Sequence, residues 1–189
     1  MSLSKLDETL DRPLPNTYWV IPGRLLAGEY PGGTDFTDSR ARLKRIQDAG
    51  IDYFIDLTEE GELPAYRHLL PVRVKYLRSA IADTSVPGKI VQMQQLLGNI
   101  RAALALRRSV YVHCRAGIGR TGLVIGCFLA DEESDGQAAL NILNRLWRQN
   151  ERATYWPKVP QTVEQADYIR DWPTVGKLTS QPRSGRTRQ

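Results

Sequence analysis

Cysteine and histidine are scarce in this chain, with two of each among 189 residues. Two cysteines cannot build the disulfide framework of a small secreted domain, so a reducing compartment is expected. His113 and Cys114 are consecutive at the end of a stretch that reads as a strand and therefore point to opposite faces. His68 and Cys127 stand at no ligand spacing, so neither a metal nor a cofactor is expected. Long apolar runs are missing as well: none reaches the roughly 20 residues needed to span a bilayer. The N-terminal residues Met1-Ser2-Leu3-Ser4-Lys5-Leu6-Asp7-Glu8 carry acids and no apolar core, unlike a signal peptide. A soluble, cytoplasmic protein without a membrane span is expected. No Gly-Lys-Ser/Thr follows a glycine-rich loop, which excludes the P-loop nucleotide-binding class.

The net charge of +5 suggests nucleic acid until it is located. From Pro173 onward the chain holds Lys177, Arg183, Arg186 and Arg188 and no acid, so this end supplies four of the five net charges. The remainder is nearly neutral, and no nucleic-acid partner is expected. The end is rich in Ser, Thr, Gly, Pro and Arg, without apolar periodicity, and reads as a disordered basic tail. Residues 1–17 read as a flexible leader and residues 18–172 as a single domain. A chain this long buries roughly 70% of its unfolded surface, so a core needs no staples. A monomer is expected.

What is present is a pattern of alternating strands and helices. Residues 18–28 read as a hairpin turning at Pro22-Gly23, and residues 51–57 and 109–112 as buried strands. Residues 72–77 alternate at period two, a partly exposed strand. Helices are expected over residues 39–49, capped by Asp38, over 89–107, over the wholly apolar 123–130, over 137–149 and over 162–172. This order implies an α/β fold with a mostly parallel sheet of four or five strands and helices on both faces. Ligands of such sheets bind beyond the carboxyl ends of the strands, where the segments after Leu57, after the 72–77 strand and after Val112 should converge.

The third of these segments is the run His113-Cys114-Arg115-Ala116-Gly117-Ile118-Gly119-Arg120-Thr121-Gly122, between a buried strand and a buried helix. A helix N-terminus offers unpaired N–H groups and the positive end of the macrodipole, which together hold an anion. The same field keeps a neighbouring thiol as its thiolate. Arg120, six residues beyond Cys114 in the loop, can return to meet phosphate oxygens with its planar fork. Gly117 and Gly119 let successive N–H groups of residues 115–119 turn inward, Gly122 lets the following helix approach the sheet closely, and the Thr121 hydroxyl can reach the sulfur.

His113-Cys114-x-x-Gly117-x-Gly119-Arg120-Thr121-Gly122 resembles the signature loop of the cysteine-dependent protein tyrosine phosphatase superfamily. Trp19-Val20-Ile21-Pro22-Gly23-Arg24-Leu25, Leu57-Thr58-Glu59 and Thr162-x-x-Gln165 extend the likeness to its compact atypical dual-specificity branch, over roughly residues 18–172. The resemblance implies phosphomonoester hydrolysis through a cysteinyl-phosphate on Cys114, with Arg120 and Thr121 in the machinery. The phosphate cradle would then be Arg115, Ala116, Gly117, Ile118, Gly119 and Arg120. A departing alkoxide or phenoxide needs a proton. Asp83, in Asp83-Thr84-Ser85-Val86-Pro87, resembles the general acid of that branch, with Asp56 the next candidate. By the same likeness Glu59 or Glu60 holds Arg120, Gln165 orders the hydrolytic water, and His113 orders the loop by hydrogen bonding.

The expected substrate is a phosphorylated protein or peptide, with phosphotyrosine preferred and phosphoserine and phosphothreonine also accepted. Ile118 is read as an apolar rim suited to an aromatic ring, and Arg115 is the only charged residue between Cys114 and Arg120. The alternatives are a phosphatase of phosphoinositides or RNA 5′-phosphates, or an inactive phosphate-binding module.

Overall fold

The computed structural model describes residues 10–178. Strands β1 (Thr17–Ile21), β2 (Leu25–Gly28), β3 (Tyr53–Asp56), β4 (Lys75–Arg78) and β5 (Val110–His113) alternate with helices α1 (Phe36–Asp48), α2 (Ile90–Ala105), α3 (Gly119–Glu133), α4 (Gly136–Trp147) and α5 (Val163–Leu178). The strands form one five-stranded sheet in the order β1-β2-β5-β3-β4. Only the β1–β2 hairpin is antiparallel; β2–β5, β5–β3 and β3–β4 are all parallel. The expected α/β architecture is thus the observed one.

β5 lies at the centre, and all four of its residues, Val110-Tyr111-Val112-His113, are buried. That is why it reads as a continuous apolar run instead of an alternating one: both faces are covered. On one face Val110 and Val112 join α2, α3, α4 and α5 in a large core that includes Leu97, Ile100, Leu123, Val124, Leu143 and Trp147. On the other, Tyr111 joins Phe54, Tyr66, Leu26 and Trp19 beneath Leu43 and Ile46 of α1. Each fully buried aliphatic or aromatic side chain contributes about 1.5–3 kcal/mol, so these two layers hold the sheet edge where the loops emerge.

Several boundaries differ from the sequence reading. Helix α1 starts at Phe36 because Asp35, not Asp38, is its N-cap: Asp35 Oδ1 accepts Asp38 N–H at 2.9 Å, and Asp38 Oδ2 in turn accepts Thr34 N–H at 3.1 Å. Two acids three residues apart cap reciprocally, and the first one sets the start. The strand expected over residues 72–77 begins only at Lys75, where its N–H meets Asp52 O at 2.9 Å. Val74 N–H closes a turn onto Pro71 O and Val72 is fully exposed.

The leader expected over residues 1–17 is ordered in its second half. Leu14 is buried in the α1-side core, Thr17 Oγ1 donates to Leu14 O at 2.7 Å, and Thr17 already belongs to β1. At the other end α5 continues past Trp172 through Pro173. Trp172 donates to Asp131 Oδ1 at 2.9 Å and stacks on Tyr168, while Gly176 O accepts Gln94 Nε2 at 2.8 Å. These tertiary contacts outweigh the one donor a proline removes. The rest of the expected leader and tail, residues 1–9 and 179–189, lies outside the described residues. Among the described residues no helix is long and apolar enough to cross a membrane.

Candidate active site

Parallel strands deliver three loops to one end of the sheet, and Arg120 is where they meet. Its side chain, in the first turn of α3, is 1% exposed. From the turn after β3, Glu62 accepts Nη1 and Nη2 at 2.7 Å each, a bidentate pair. From the segment after β4, Ile81 O accepts Nη1 at 3.2 Å, and Asp83 Oδ1 lies 3.1 Å from Nη2. The Arg120 bonds hold the Glu62 carboxyl down to about 2, against some opposition from burial. Burial works against the guanidinium, but Glu62, then Cys114 and Asp83, raise its pKa, so it stays charged. The remaining nitrogen, Nε, is buried with no hydrogen-bond partner. An orphaned donor on a fixed fork is a place for an anion.

Glu62 takes the place expected for Glu59 or Glu60. Both of those are exposed, and Glu59 contributes its N–H to Glu62 Oε2 at 3.0 Å. The cause is Gly61, whose φ of +78° reverses the chain so that the acid after the glycine, not those before it, enters the site. The signal was present in Glu59-Glu60-Gly61-Glu62 as a glycine between acids.

The loop itself is buried from Gly117 to Arg120, and Cys114 is 3% exposed, leaving Arg115 and Ala116 outermost. Gly117 has a φ of +77°, and a Cβ there would lie 2.5 Å from Gly28 C and 2.9 Å from Glu29 N, so a side chain is excluded by backbone as well as by conformation. Ile118 is 7% exposed and packs into the α2–α5 core. It therefore forms no apolar rim, in contrast to the sequence reading. A residue whose backbone faces the anion turns its side chain the other way, into the helix-side core.

Thr121 also differs from expectation. A hydroxyl has one proton, and here the buried Gly28 O takes it at 3.3 Å instead of the sulfur. Gly122 faces Pro160 Cα and Val159 Cβ, where a Cβ would lie at 3.2 and 3.4 Å, and so allows α3 to approach residues 159–160, not the sheet. Arg115 is half-exposed and its Nε reaches Glu62 Oε1 at 3.3 Å.

His113 is fully buried and its pKa is lowered, chiefly by burial, against the pull of Asp56, so the ring is neutral at pH 7. Nδ1 lies 3.2 Å from Cys114 O, and Nε2 is bonded to the Tyr66 hydroxyl. Burial also keeps Tyr66 protonated. The partners assign the tautomer: Nδ1–H donates to the Cys114 carbonyl, and Nε2 accepts from Tyr66. Tyr66 was not singled out from the sequence, since a tyrosine 47 residues away carries no local sign of this contact.

Asp56 is 2% exposed. Burial would raise its pKa, but His113, the Thr58 N–H and Oγ1 and the Tyr76 hydroxyl together lower it. It accepts from Thr58 N–H, Thr58 Oγ1 and the Tyr76 hydroxyl at 2.6–2.9 Å, so it is held ionised and cannot stand in as an acid. Asp83, by contrast, is 56% exposed in its side chain. The next residue, Thr84, has a φ of +61°, left-handed for a β-branched residue. Strain of this kind is tolerated where the surroundings hold it. Gln165 supplies part of that hold: its Nε2 donates to Ser85 O at 3.0 Å, while its Oε1 accepts the N–H groups of Gln161 and Thr162 at 3.2 and 3.3 Å. Gly119 is its neighbour, with an added Cβ lying 3.2 Å from Oε1. Among the described residues no group of three or more His, Cys, Asp or Glu could hold a metal ion.

The sequence profile of a family described as "Polymorphic toxin system, DSP-PTPase phosphatase" matches residues 29–133, from the end of β2 to the last turn of α3. The chain belongs to this family. The stretch matched by the DSP-PTPase profile contains Glu62, Asp83 and the whole loop from Cys114 to Arg120. Protein 067L of Invertebrate iridescent virus 3, named as a candidate tyrosine phosphatase, is 33% identical over 117 residues, 59% of this chain and 45% of that protein. The chain spans about half the length of the curated relatives it matches. Among solved structures, Tk-PTP in its active form aligns with a TM-score of 0.68 at 23% identity, over 84% of this chain and 97% of that one. PTPMT1 in complex with PI(5)P aligns with a TM-score of 0.64 at 18% identity, over 87% and 99%. At these identities the likeness is one of fold: this DSP-PTPase member has the phosphatase architecture.

Proposed function

We propose that the chain is a cysteine-dependent phosphatase that hydrolyses phosphomonoesters of proteins or peptides through a cysteinyl-phosphate on Cys114, with phosphotyrosine first, a preference that rests on the tyrosine phosphatase names of its viral relatives. The observation that carries this reading is the buried, unpartnered Nε of Arg120 on a fork whose other nitrogens are already fixed by Glu62. The loop N–H groups of residues 115–119 and this nitrogen hold the phosphoryl oxygens. Cys114 Sγ attacks phosphorus in line, the S–P bond forms, the P–O bond breaks, and the Asp83 carboxyl gives its proton to the departing oxygen. In the second half a water, held by the one Gln165 Nε2 proton that Ser85 O does not take, loses its proton to Asp83, its oxygen bonds to phosphorus, and the S–P bond breaks to release inorganic phosphate. Stabilisation of the departing thiolate falls to the loop N–H groups and the end of α3, since Thr121 is engaged by Gly28.

Substrates with several phosphates are disfavoured. Arg115 is the only cation between Cys114 and Arg120, and it is tied to Glu62. A loop meant for a phosphoinositide would need spare positive charge. The test of mechanism is Cys114→Ser: turnover of phosphotyrosine peptide should vanish while peptide binding persists. Measurable turnover in the serine variant rules out the covalent route. A panel of phosphotyrosine, phosphoserine and phosphothreonine peptides, phosphoinositides and RNA 5′-phosphates tests the substrate class, and a higher kcat/KM on either non-protein class overturns it.

A further inference from the structure

We infer that Glu29 is a positioning residue of the phosphate loop, acting through the turn Gly28-Glu29-Tyr30; this rests on the phosphatase reading of that loop. An anion cradle works only when its N–H groups face inward and its carbonyls are held outward, because an inward carbonyl oxygen repels phosphate. The turn of residues 28–30 holds one of those carbonyls, that of Arg115, and meets the loop at two further places. Tyr30 N–H donates to Arg115 O at 3.0 Å, Gly28 O accepts the Thr121 hydroxyl at 3.3 Å, and the Gly28–Glu29 peptide fills the space where a Cβ of Gly117 would sit. The outward position of the Arg115 carbonyl, and the seat of Gly117, therefore depend on what fixes residues 28–30.

The side chain of Glu29 fixes them. It is one of the few buried acids in the structure, and its carboxylate accepts Asn16 Nδ2 at 3.0 Å, Arg42 Nη2 at 2.8 Å and Arg152 Nη2 at 2.6 Å. Its own N–H meets Asn16 O at 3.2 Å, and its carbonyl accepts the Tyr111 hydroxyl. One residue so joins the segment before β1, helix α1, strand β5 and the 3₁₀ turn Glu151–Thr154. Two guanidinium groups share the one carboxylate, and among the described residues no other acid pairs with either. Next to the clamp a cleft of about 420 Å³ opens, lined among others by Gly32, Gly33, Leu63 and Arg115. The backbone bonds of residues 28–30 survive loss of the carboxylate, but nothing packed in that cleft replaces its three side-chain bonds to Asn16, Arg42 and Arg152.

The test compares Glu29→Ala and Glu29→Gln with the parent in two assays, well below the thermal midpoint of each variant. In the otherwise unaltered chain, Glu29→Ala should lower kcat by about 10- to 100-fold, the range for a reacting geometry displaced by about an ångström. The ratio of rates on good and poor leaving groups should not change, which separates this effect from loss of an acid. In a Cys114→Ser background, where turnover plays no part, the affinity for inorganic phosphate should fall about tenfold. Glu29→Gln, which keeps the length and an acceptor oxygen, should recover much of both. If Glu29→Ala does not fold, Arg42→Met and Arg152→Met each remove one donor and should give the same losses in smaller measure. Unchanged phosphate affinity in a folded Glu29→Ala protein, or in both arginine variants, overturns the inference. Absence of turnover in the parent would instead overturn the proposed function, and the phosphate-binding comparison would still decide the role of Glu29.

Discussion

Two loops bring a carboxylate to the same guanidinium, and they do so in opposite ways. Glu62, from the turn after β3, has a side chain 12% exposed, makes two bonds of 2.7 Å to Arg120 and is held down to about pKa 2. Asp83, from the segment after β4, is 56% exposed and has one contact with Arg120, at 3.1 Å, besides accepting the N–H of its strained neighbour Thr84 at 3.0 Å. The first is a fixed part of the scaffold, because leaving would strand a buried charge. The second can leave at little cost, which is what the proton-donor role proposed for it requires. Carboxylates of like chemistry thus receive different tasks from burial and bond count alone.

The largest effect should come from removing what the two share. Arg120→Lys keeps the charge but cannot serve Glu62, Ile81 O and a phosphoryl group together, so kcat/KM should drop by about 10³–10⁵-fold, the range for a transition-state arginine in phosphoryl transfer. A lysine variant within tenfold of the parent would show that the fork is not needed. Next comes Asp83→Asn, expected to slow aryl phosphates with poor leaving groups by about 10²–10⁴-fold and to spare very acidic ones. A uniform loss across leaving groups would give Asp83 the structural task instead and erase the contrast with Glu62.

Glu62→Gln should reverse that pattern: a loss of about 10- to 100-fold that is the same for every leaving group. It also has a signature in pH. A carboxyl lowered on folding contributes stability that is fully present above its unfolded value near 4.5 and is lost as pH falls through its folded value of about 2. Between those limits the parent should lose stability that the glutamine variant does not, as acid titration of unfolding will show. The smallest effects belong to Glu59→Ala and Glu60→Ala, exposed and outside the Arg120 contacts: within about 0.5 kcal/mol in stability and about twofold in rate. A strong effect at either would return the clamp to the positions first suggested by sequence.

The local pattern of the chain carried its elements, though not every boundary: it misplaced the cap at Asp35 and the strand start at Lys75. The apolar runs around residues 110–113 and 123–130 predicted a central strand and a buried helix, and the glycines and Arg120 between them identified the loop, because strand, turn and helix-start chemistry act over neighbouring residues. The alternation of elements predicted a mostly parallel sheet, and parallel strands bring their ends together at one edge. Only the tertiary structure decided which acid meets Arg120, that Ile118 points into the core, that the Thr121 hydroxyl serves Gly28, and that Tyr66 and Glu29 stand behind the loop. Glu62 and Arg120 are 58 residues apart, and Glu29 and Arg152 are 123 apart. Such pairs form because folded backbones place them within about 3 Å, a distance that no periodicity, cap or turn signal along the chain encodes.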